Sequence, residues 1–183
     1  YGECIAIPAD LSILEGIKQF VKAFTDKEEK LDILVNNAGY MKARQTYKTL
    51  SNALEQFDES DWDRAMDINL KGLFFLTQQL LPALKQAASA DQPARVINIA
   101  SNAGIIPPHR HTDYAYTSSK GGVINLTRHL AMSLAEEHIT VNTISPGLFT
   151  TDMTKEIIEQ HGDAFARSVP LGRIGRGEDI ASA

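Results

Sequence analysis

The sequence predicts an α/β domain built on a parallel sheet, and three observations predict it. Short runs dominated by Ile, Val and Leu alternate with longer amphipathic stretches. Each run is dominated by Ile, Val or Leu, as expected of strands covered on both faces. Several of them end in a small or amide residue of the kind that opens a ligand crevice. Taken in order, the strand candidates are Cys4 to Ile7, Ile33 to Val35, Val96 to Ala100 and Ile139 to Ile144. Helices fill the intervals. Ser12 with Glu15 has the spacing of a capping box ahead of a helix from Leu14 to Phe24. Ser60 and Asp61 can cap a long helix running through Trp62, Met66, Leu70 and Phe74, and Gly162 can end a helix from Met153 to Gln160. No repeat or low-complexity tract interrupts the pattern, so residues 1–183 read as one domain.

Composition narrows the partners. The 183 residues are 43% hydrophobic and 22% charged, near the average for a globular domain with a real core. A net charge of −5 with scattered Lys and Arg excludes a nucleic acid or an anionic membrane as partner, since both require clustered positive charge. No apolar run approaches the roughly 20 residues that span a bilayer. A single cysteine, Cys4, cannot form an internal disulfide, and a cytoplasmic location follows as the expectation.

The chemistry concentrates between Ser101 and Lys120. Tyr116 and Lys120 stand four residues apart at the start of a helical stretch and share a face, so the ammonium can stabilise the ionised phenol. A tyrosine of ordinary pKa, about 10, is a poor base at neutral pH. Beside a fixed cation it can trade protons in a carbonyl/alcohol interconversion. Further blocks stand in order along the chain: Leu31 to Val35 leading to Asn36-Asn37-Ala38-Gly39, then Asp67-Ile68-Asn69-Leu70-Lys71-Gly72, then Ser145-Pro146-Gly147 leading to Thr151. Each has a bland reading taken singly. An Asn pair can be a turn, Ser101 a cap, and Pro146-Gly147 a plain turn. In a parallel sheet, however, Asn37 to Gly39, Ser101 and Pro146 to Thr151 all follow strands at their carboxyl ends and converge on one crevice.

Together these blocks resemble the short-chain dehydrogenase/reductase family, and the resemblance covers nearly the whole chain. It implies a Rossmann-like, doubly wound parallel sheet and hydride exchange between a nicotinamide cofactor and a ketone or secondary alcohol. It also implies a role for each residue. Tyr116 is the general acid of reduction, Lys120 lowers its pKa and holds the nicotinamide ribose, and Ser101 binds the substrate oxygen. Asn69 holds a water that resupplies protons. Asn37, Ala38 and Gly39 lie against the adenine ribose, Asp10 and Leu11 flank the adenine, and Phe149 with Thr151, after the Pro146-Gly147 turn, takes the carboxamide. The family's Gly-rich phosphate turn has no counterpart in the sequence, and Leu171 to Ile180 resembles a segment that normally leads on. The first βαβ unit and the C-terminal end are therefore expected to be missing from this chain.

Within the family, Tyr1 to Ser12 and Ala90 to Ile99 look most like the rhamnolipid-biosynthesis type of 3-oxoacyl reductase, which suggests NADP(H) over NAD(H). A steroid, sugar or alcohol dehydrogenase remains an alternative, as does a catalytically silent assembly module. The resemblance also implies a homodimer or homotetramer through the helices carrying Asn69 and Tyr116. Tyr114 cannot replace Tyr116, because Ser118 stands four residues on. His109 and His111 have no third ligand in view, so no metal is expected. The Pro107 to Asp113 loop and the stretch from Gly39 to Trp62, with Tyr40, Met41, Tyr47 and Leu50, are expected to set substrate choice, and Met153, Ile157, Ile158 and Phe165 suit an apolar substrate.

Overall fold

The computed structural model describes residues 3–42, 50–106, 113–152 and 154–182. Three strands, β1 (Ile33–Asn36), β2 (Ala94–Ile99) and β3 (Ile139–Ile144), form a parallel sheet in the order β1-β2-β3. Their register pairs Val35 with Ile97 and Val96 with Val141. All three strands run the same way, so their carboxyl ends open along one edge, as the α/β reading requires.

Helices α1 (Leu14–Thr25), α2 (Leu50–Glu55), α3 (Glu59–Met66), α4 (Leu73–Ala87), α5 (Tyr114–Leu134), α6 (Lys155–Ser168) and α7 (Gly177–Ala181) connect and flank the strands. Leu34, Val96, Ile139 and Val141 from the sheet meet Ile17 of α1, Leu76, Leu80 and Leu84 of α4 and Leu134 of α5 in the main core. Apolar burial of this kind, at about 25 cal/mol per Å², drives the assembly. The opposite sheet face differs from the sequence expectation. Ile33 and Val35 of β1 are about half exposed, at 49% and 52%, because no described element packs over them.

Several local expectations are corrected. Cys4 to Ile7 forms no strand, because no strand among the described residues pairs its backbone, and Cys4 and Ile5 are exposed. The Ser12–Glu15 capping box does not form. Ser12 donates instead from its amide and hydroxyl to Asp10 Oδ1, at 2.9 and 2.6 Å, and α1 starts after Ile13 without a side-chain cap. The carboxylate two residues back outcompetes the helix for the serine. Likewise Asp58, not Ser60 or Asp61, caps α3 by accepting the Ser60 N–H. The long helix runs on through Phe74 but carries a π-helical turn at Asp67–Gly72. Gly162 does not end a helix; α6 passes through it to Ser168. Helix-forming Ala164, Phe165 and Ala166 follow it, and one glycine costs only about 1 kcal/mol.

Candidate active site

The carboxyl edge of the sheet gathers most of the chemistry-bearing side chains. β1 ends in Asn36, and the chain continues through Asn37, Ala38 and Gly39 over the π turn. There the Asn69 side chain grips the backbone of Tyr40: its Oδ1 accepts the Tyr40 N–H at 2.6 Å and its Nδ2 donates to the Tyr40 carbonyl at 2.9 Å. One side-chain amide thus satisfies both backbone groups of a single residue, and it fixes the strand extension to the helix. A π turn is the local irregularity that lets one residue leave the helical ladder and face a site. Gly39 lies so near that a Cβ there would stand 3.5 Å from Lys120 Nζ and 3.6 Å from Asn69 Oδ1. Gly39, Asn69 and Lys120 therefore share one small volume.

Below this edge a chain of buried polar groups sets the strands against the helices. Asn36 Nδ2 donates to Asn98 Oδ1 at 2.9 Å and to Thr77 Oγ1 at 3.0 Å, and Asn98 Nδ2 donates to Thr127 Oγ1 at 2.9 Å. The two threonines return their hydroxyl hydrogens to carbonyls one turn back in α4 and α5. Pattern reasoning found neither Asn98 nor the two threonines. The only signal was an asparagine inside an otherwise apolar strand, which demands partners when buried.

Ser101 follows β2 and caps a short 3-10 turn, Asn102–Gly104, by accepting the Ala103 N–H at 3.2 Å. The plain structural role of Ser101 is thus real, and its hydroxyl also hydrogen-bonds the Tyr116 phenol. Gly104 brings this turn onto the start of α5. A Cβ there would lie 2.6 Å from the Gly121 nitrogen and the Lys120 carbonyl carbon, which only glycine permits. On the other side, Asn102 N–H donates to the Pro146 carbonyl at 2.9 Å, tying the segment after β2 to the segment after β3.

The electrostatics depart from the sequence expectation. Tyr116 is raised above the usual phenol value, chiefly by burial and further by Asp113, with the Ser101 hydrogen bond partly offsetting this. Lys120 does not lower it. Burial drops the Lys120 ammonium to about 8, and its Nζ donates to the Ile99 carbonyl at 2.7 Å while standing 5.9 Å from the centre of the Tyr116 ring. Burial shifts both groups toward their neutral forms, in place of the anticipated mutual stabilisation of an ion pair. Lys120 is only 4% exposed, so desolvation outweighs proximity.

The remaining candidates are less concentrated. Leu11, Asn37 and Ala38 line a cavity of about 60 Å³ with Ile68 and Leu76. Asp10 stays outside it, exposed, its carboxylate spent on Ser12 and held below the usual range by those hydrogen bonds. After Pro146 and Gly147, Phe149 makes a parallel bridge to Gly175. Thr154 takes up the Phe149 carbonyl, the Thr151 N–H at 2.9 Å and the Thr151 hydroxyl at 2.9 Å, so Phe149 and Thr151 meet each other through a third residue absent from the motif. Tyr114 turns away to pack edge-on against Phe57 at 5.5 Å. His109, His111, Tyr47, Met153 and all of the Pro107 to Asp113 loop but Asp113 lie outside the described residues, as do the side chains of Leu50 and Ile157. Among the described residues no three His, Cys, Asp or Glu side chains come together as a metal site, and no helix is long and apolar enough to cross a membrane.

The family model described as short chain dehydrogenase matches residues 1–162. The chain belongs to that family. Across 184 aligned residues it is 44% identical to the rhamnolipids biosynthesis 3-oxoacyl-[acyl-carrier-protein] reductase of Pseudomonas aeruginosa, covering 100% of this chain and 68% of that protein. It is 35% identical to the 3-oxoacyl-[acyl-carrier-protein] reductase FabG of Chlamydia pneumoniae, covering 98% and 67%. A solved structure, the Pseudomonas aeruginosa RhlG/NADP active-site complex, superposes with a TM-score of 0.89 at 43% identity over 100% of this chain and 68% of that one. The chain thus spans about two thirds of the length of these short chain dehydrogenase relatives, and its sheet and helices are those of their Rossmann-like fold.

Proposed function

We propose that this protein is an NADP(H)-dependent carbonyl reductase that converts a 3-oxoacyl thioester, or a ketone of similar shape, to the secondary alcohol at the carboxyl edge of its sheet. The observation that carries this reading is the convergence of Ser101, Tyr116, Lys120, Asn69 and Gly39 on one volume. The choice of NADP(H) and of a 3-oxoacyl substrate rests on the relatives, one of them an NADP complex at 43% identity. The residues present fit a dinucleotide on their own terms. Ala38 and Gly39 leave the backbone bare beside Asn37, and Lys120 is a buried cation whose depressed pKa would recover against polar ribose oxygens.

When bound, the cofactor supplies the hydride. The protein handles the proton. Tyr116, raised above its ordinary value, stays protonated at neutral pH and donates its phenolic proton to the carbonyl oxygen as charge develops there. The Ser101 hydroxyl donates a hydrogen bond to the same oxygen. Lys120, still mostly charged at pH 7, orients the ribose. Asn69 has spent its side-chain amide on Tyr40 and Ser119, so any water it holds for proton resupply is held by its backbone. Asn37, Leu11 and Asp10 belong to the adenosine side, and Pro146, Gly147, Phe149 and Thr151 to the carboxamide side. We also read the protein as a cytoplasmic homodimer or homotetramer formed through the long helix that carries Asn69 and through α5, a reading supported by the 81% exposed Met132 on α5 and tested by light scattering.

The test is oxidation of NADPH, followed at its absorbance band, with 3-oxoacyl thioesters, a steroid ketone, a sugar and a simple alcohol or ketone in parallel, and with NADH as the competing cofactor. Preference for NADPH and a 3-oxoacyl thioester is expected. Turnover of only the other substrates would move the assignment within the family, and absence of any cofactor binding would leave an assembly role in its place.

A further inference from the structure

We propose that Ser119 is a positioning residue that registers the Tyr116 end of α5 against Asn69 and the strand extension, and that reduction depends on its hydroxyl. The inference rests on the reductase reading above and adds to it a residue outside the motif positions.

Ser119 is fully buried, and its hydroxyl is used in both directions. It donates to the Tyr116 carbonyl at 2.7 Å and accepts from Asn69 Nδ2 at 2.9 Å. The first bond alone is ordinary, since a serine in a helix often donates one turn back. The second bond gives it reach. Asn69 is itself 1% exposed, and its other two hydrogen bonds hold the Tyr40 peptide next to Gly39. One oxygen atom therefore joins three segments: the first turn of α5, the π turn and the continuation of β1. Among the described hydrogen bonds, no other side chain on α5 bonds Asn69.

Loss of that oxygen has two consequences. One amide hydrogen of Asn69 is left unsatisfied in a place water cannot reach. The turn bearing Tyr116 also loses its fixed distance to the π turn and the strand extension, and small misplacements of an acid cost rate more than binding.

The experiment is steady-state and single-turnover kinetics of the Ser119→Ala enzyme, with cofactor affinity measured by fluorescence. The expected result is a kcat about 5- to 10-fold lower, the size of one buried hydrogen bond, with the KM for NADPH unchanged within about two-fold. In an Asn69→Ala background the same substitution is expected to lower kcat by less than about two-fold, because the partner through which it acts is gone. A Ser119→Ala enzyme that melts lower but keeps its kcat, or one whose rate loss is as large without Asn69 as with it, would overturn the proposal. Should S119A fail to fold, S119C keeps the volume with a weak hydrogen-bonding group and decides the matter by the same kcat criterion. The outcome separates from that of the reductase reading: if Tyr116→Phe abolishes turnover and S119A is silent, only the role of Ser119 falls.

Discussion

The strand-end cradle and the segment after β3 meet at the Asn102–Pro146 hydrogen bond yet are built on different principles. In the cradle, polar side chains are buried and, Asn36 Oδ1 aside, spend their hydrogen bonds on one another or on backbone: Asn36, Asn69, Asn98, Ser119 and Lys120 are all at most 6% exposed. From Pro146 to Ser182 no described residue is fully buried. That segment is held by hydroxyl and guanidinium contacts at the surface, through Thr154 and through Arg173, whose two nitrogens reach both oxygens of Asp179 at 2.7 and 2.8 Å. A buried network tolerates one geometry, whereas surface contacts tolerate many. A single fixed geometry suits the proton transfer proposed for the cradle, whereas the segment after β3 can adjust its surface contacts without disturbing it.

Glycine substitution sharpens the contrast most. Gly104→Ala places a methyl 2.6 Å from the backbone of Lys120 and Gly121, so α5 must retreat from Ser101. A loss of about 3 to 4 kcal/mol in chemical denaturation and a collapse of activity are expected.

The charge of Lys120 gives the next largest effect. Its pKa falls from 10.5 to about 8 in the folded protein, so between these values the unfolded chain binds more protons and stability rises with pH. Below about pH 8 the full desolvation penalty is present. Relative to Lys120→Met, the parent should gain roughly 3 kcal/mol between pH 8 and 10.5. Tyr116, raised above 10, acts oppositely at higher pH but is common to both proteins and cancels in the difference. Denaturant titrations across this range check the slope, and a flat difference would break the account of a buried cation.

Asn98→Leu removes the link between Asn36 and Thr127, and about 2 kcal/mol should be lost, read from the same titrations. At the other end of the scale, Gly172→Ala meets nothing within 4 Å and pays only for its φ of +65°. About 1 kcal/mol is expected, with kcat unchanged. Comparable costs at Gly104 and Gly172 would erase the distinction between the regions.

The legible part of this molecule was the part written in local spacing. Ile33 to Val35, Val96 to Ala100 and Ile139 to Ile144 read as parallel strands because short runs dominated by Ile, Val and Leu alternate with helical stretches, and Tyr116 with Lys120 read as a pair because i and i+4 share a helix face. What spacing could not show was which neighbour wins a shared donor. Asp10 takes Ser12 from the helix cap, Asp58 takes the α3 cap, and Ile99 takes the Lys120 ammonium that sequence reasoning had given to Tyr116. The direction of the Tyr116 shift was missed for the same reason, since burial is a property of the assembled core. Ser119 and Thr154 were invisible as anything but helix serine and loop threonine until their partners, 50 and 5 residues away, were in place.

The most direct test of the central claim, that the cradle transfers a proton from Tyr116 during carbonyl reduction, is single-turnover NADPH oxidation in Tyr116→Phe beside the parent, with NADPH affinity measured on both. The account predicts a loss of roughly 1,000-fold or more in the rate of reduction, at the upper part of the range for a general acid, with affinity for NADPH nearly unchanged. A variant that reduces substrate at close to the parental rate would contradict it.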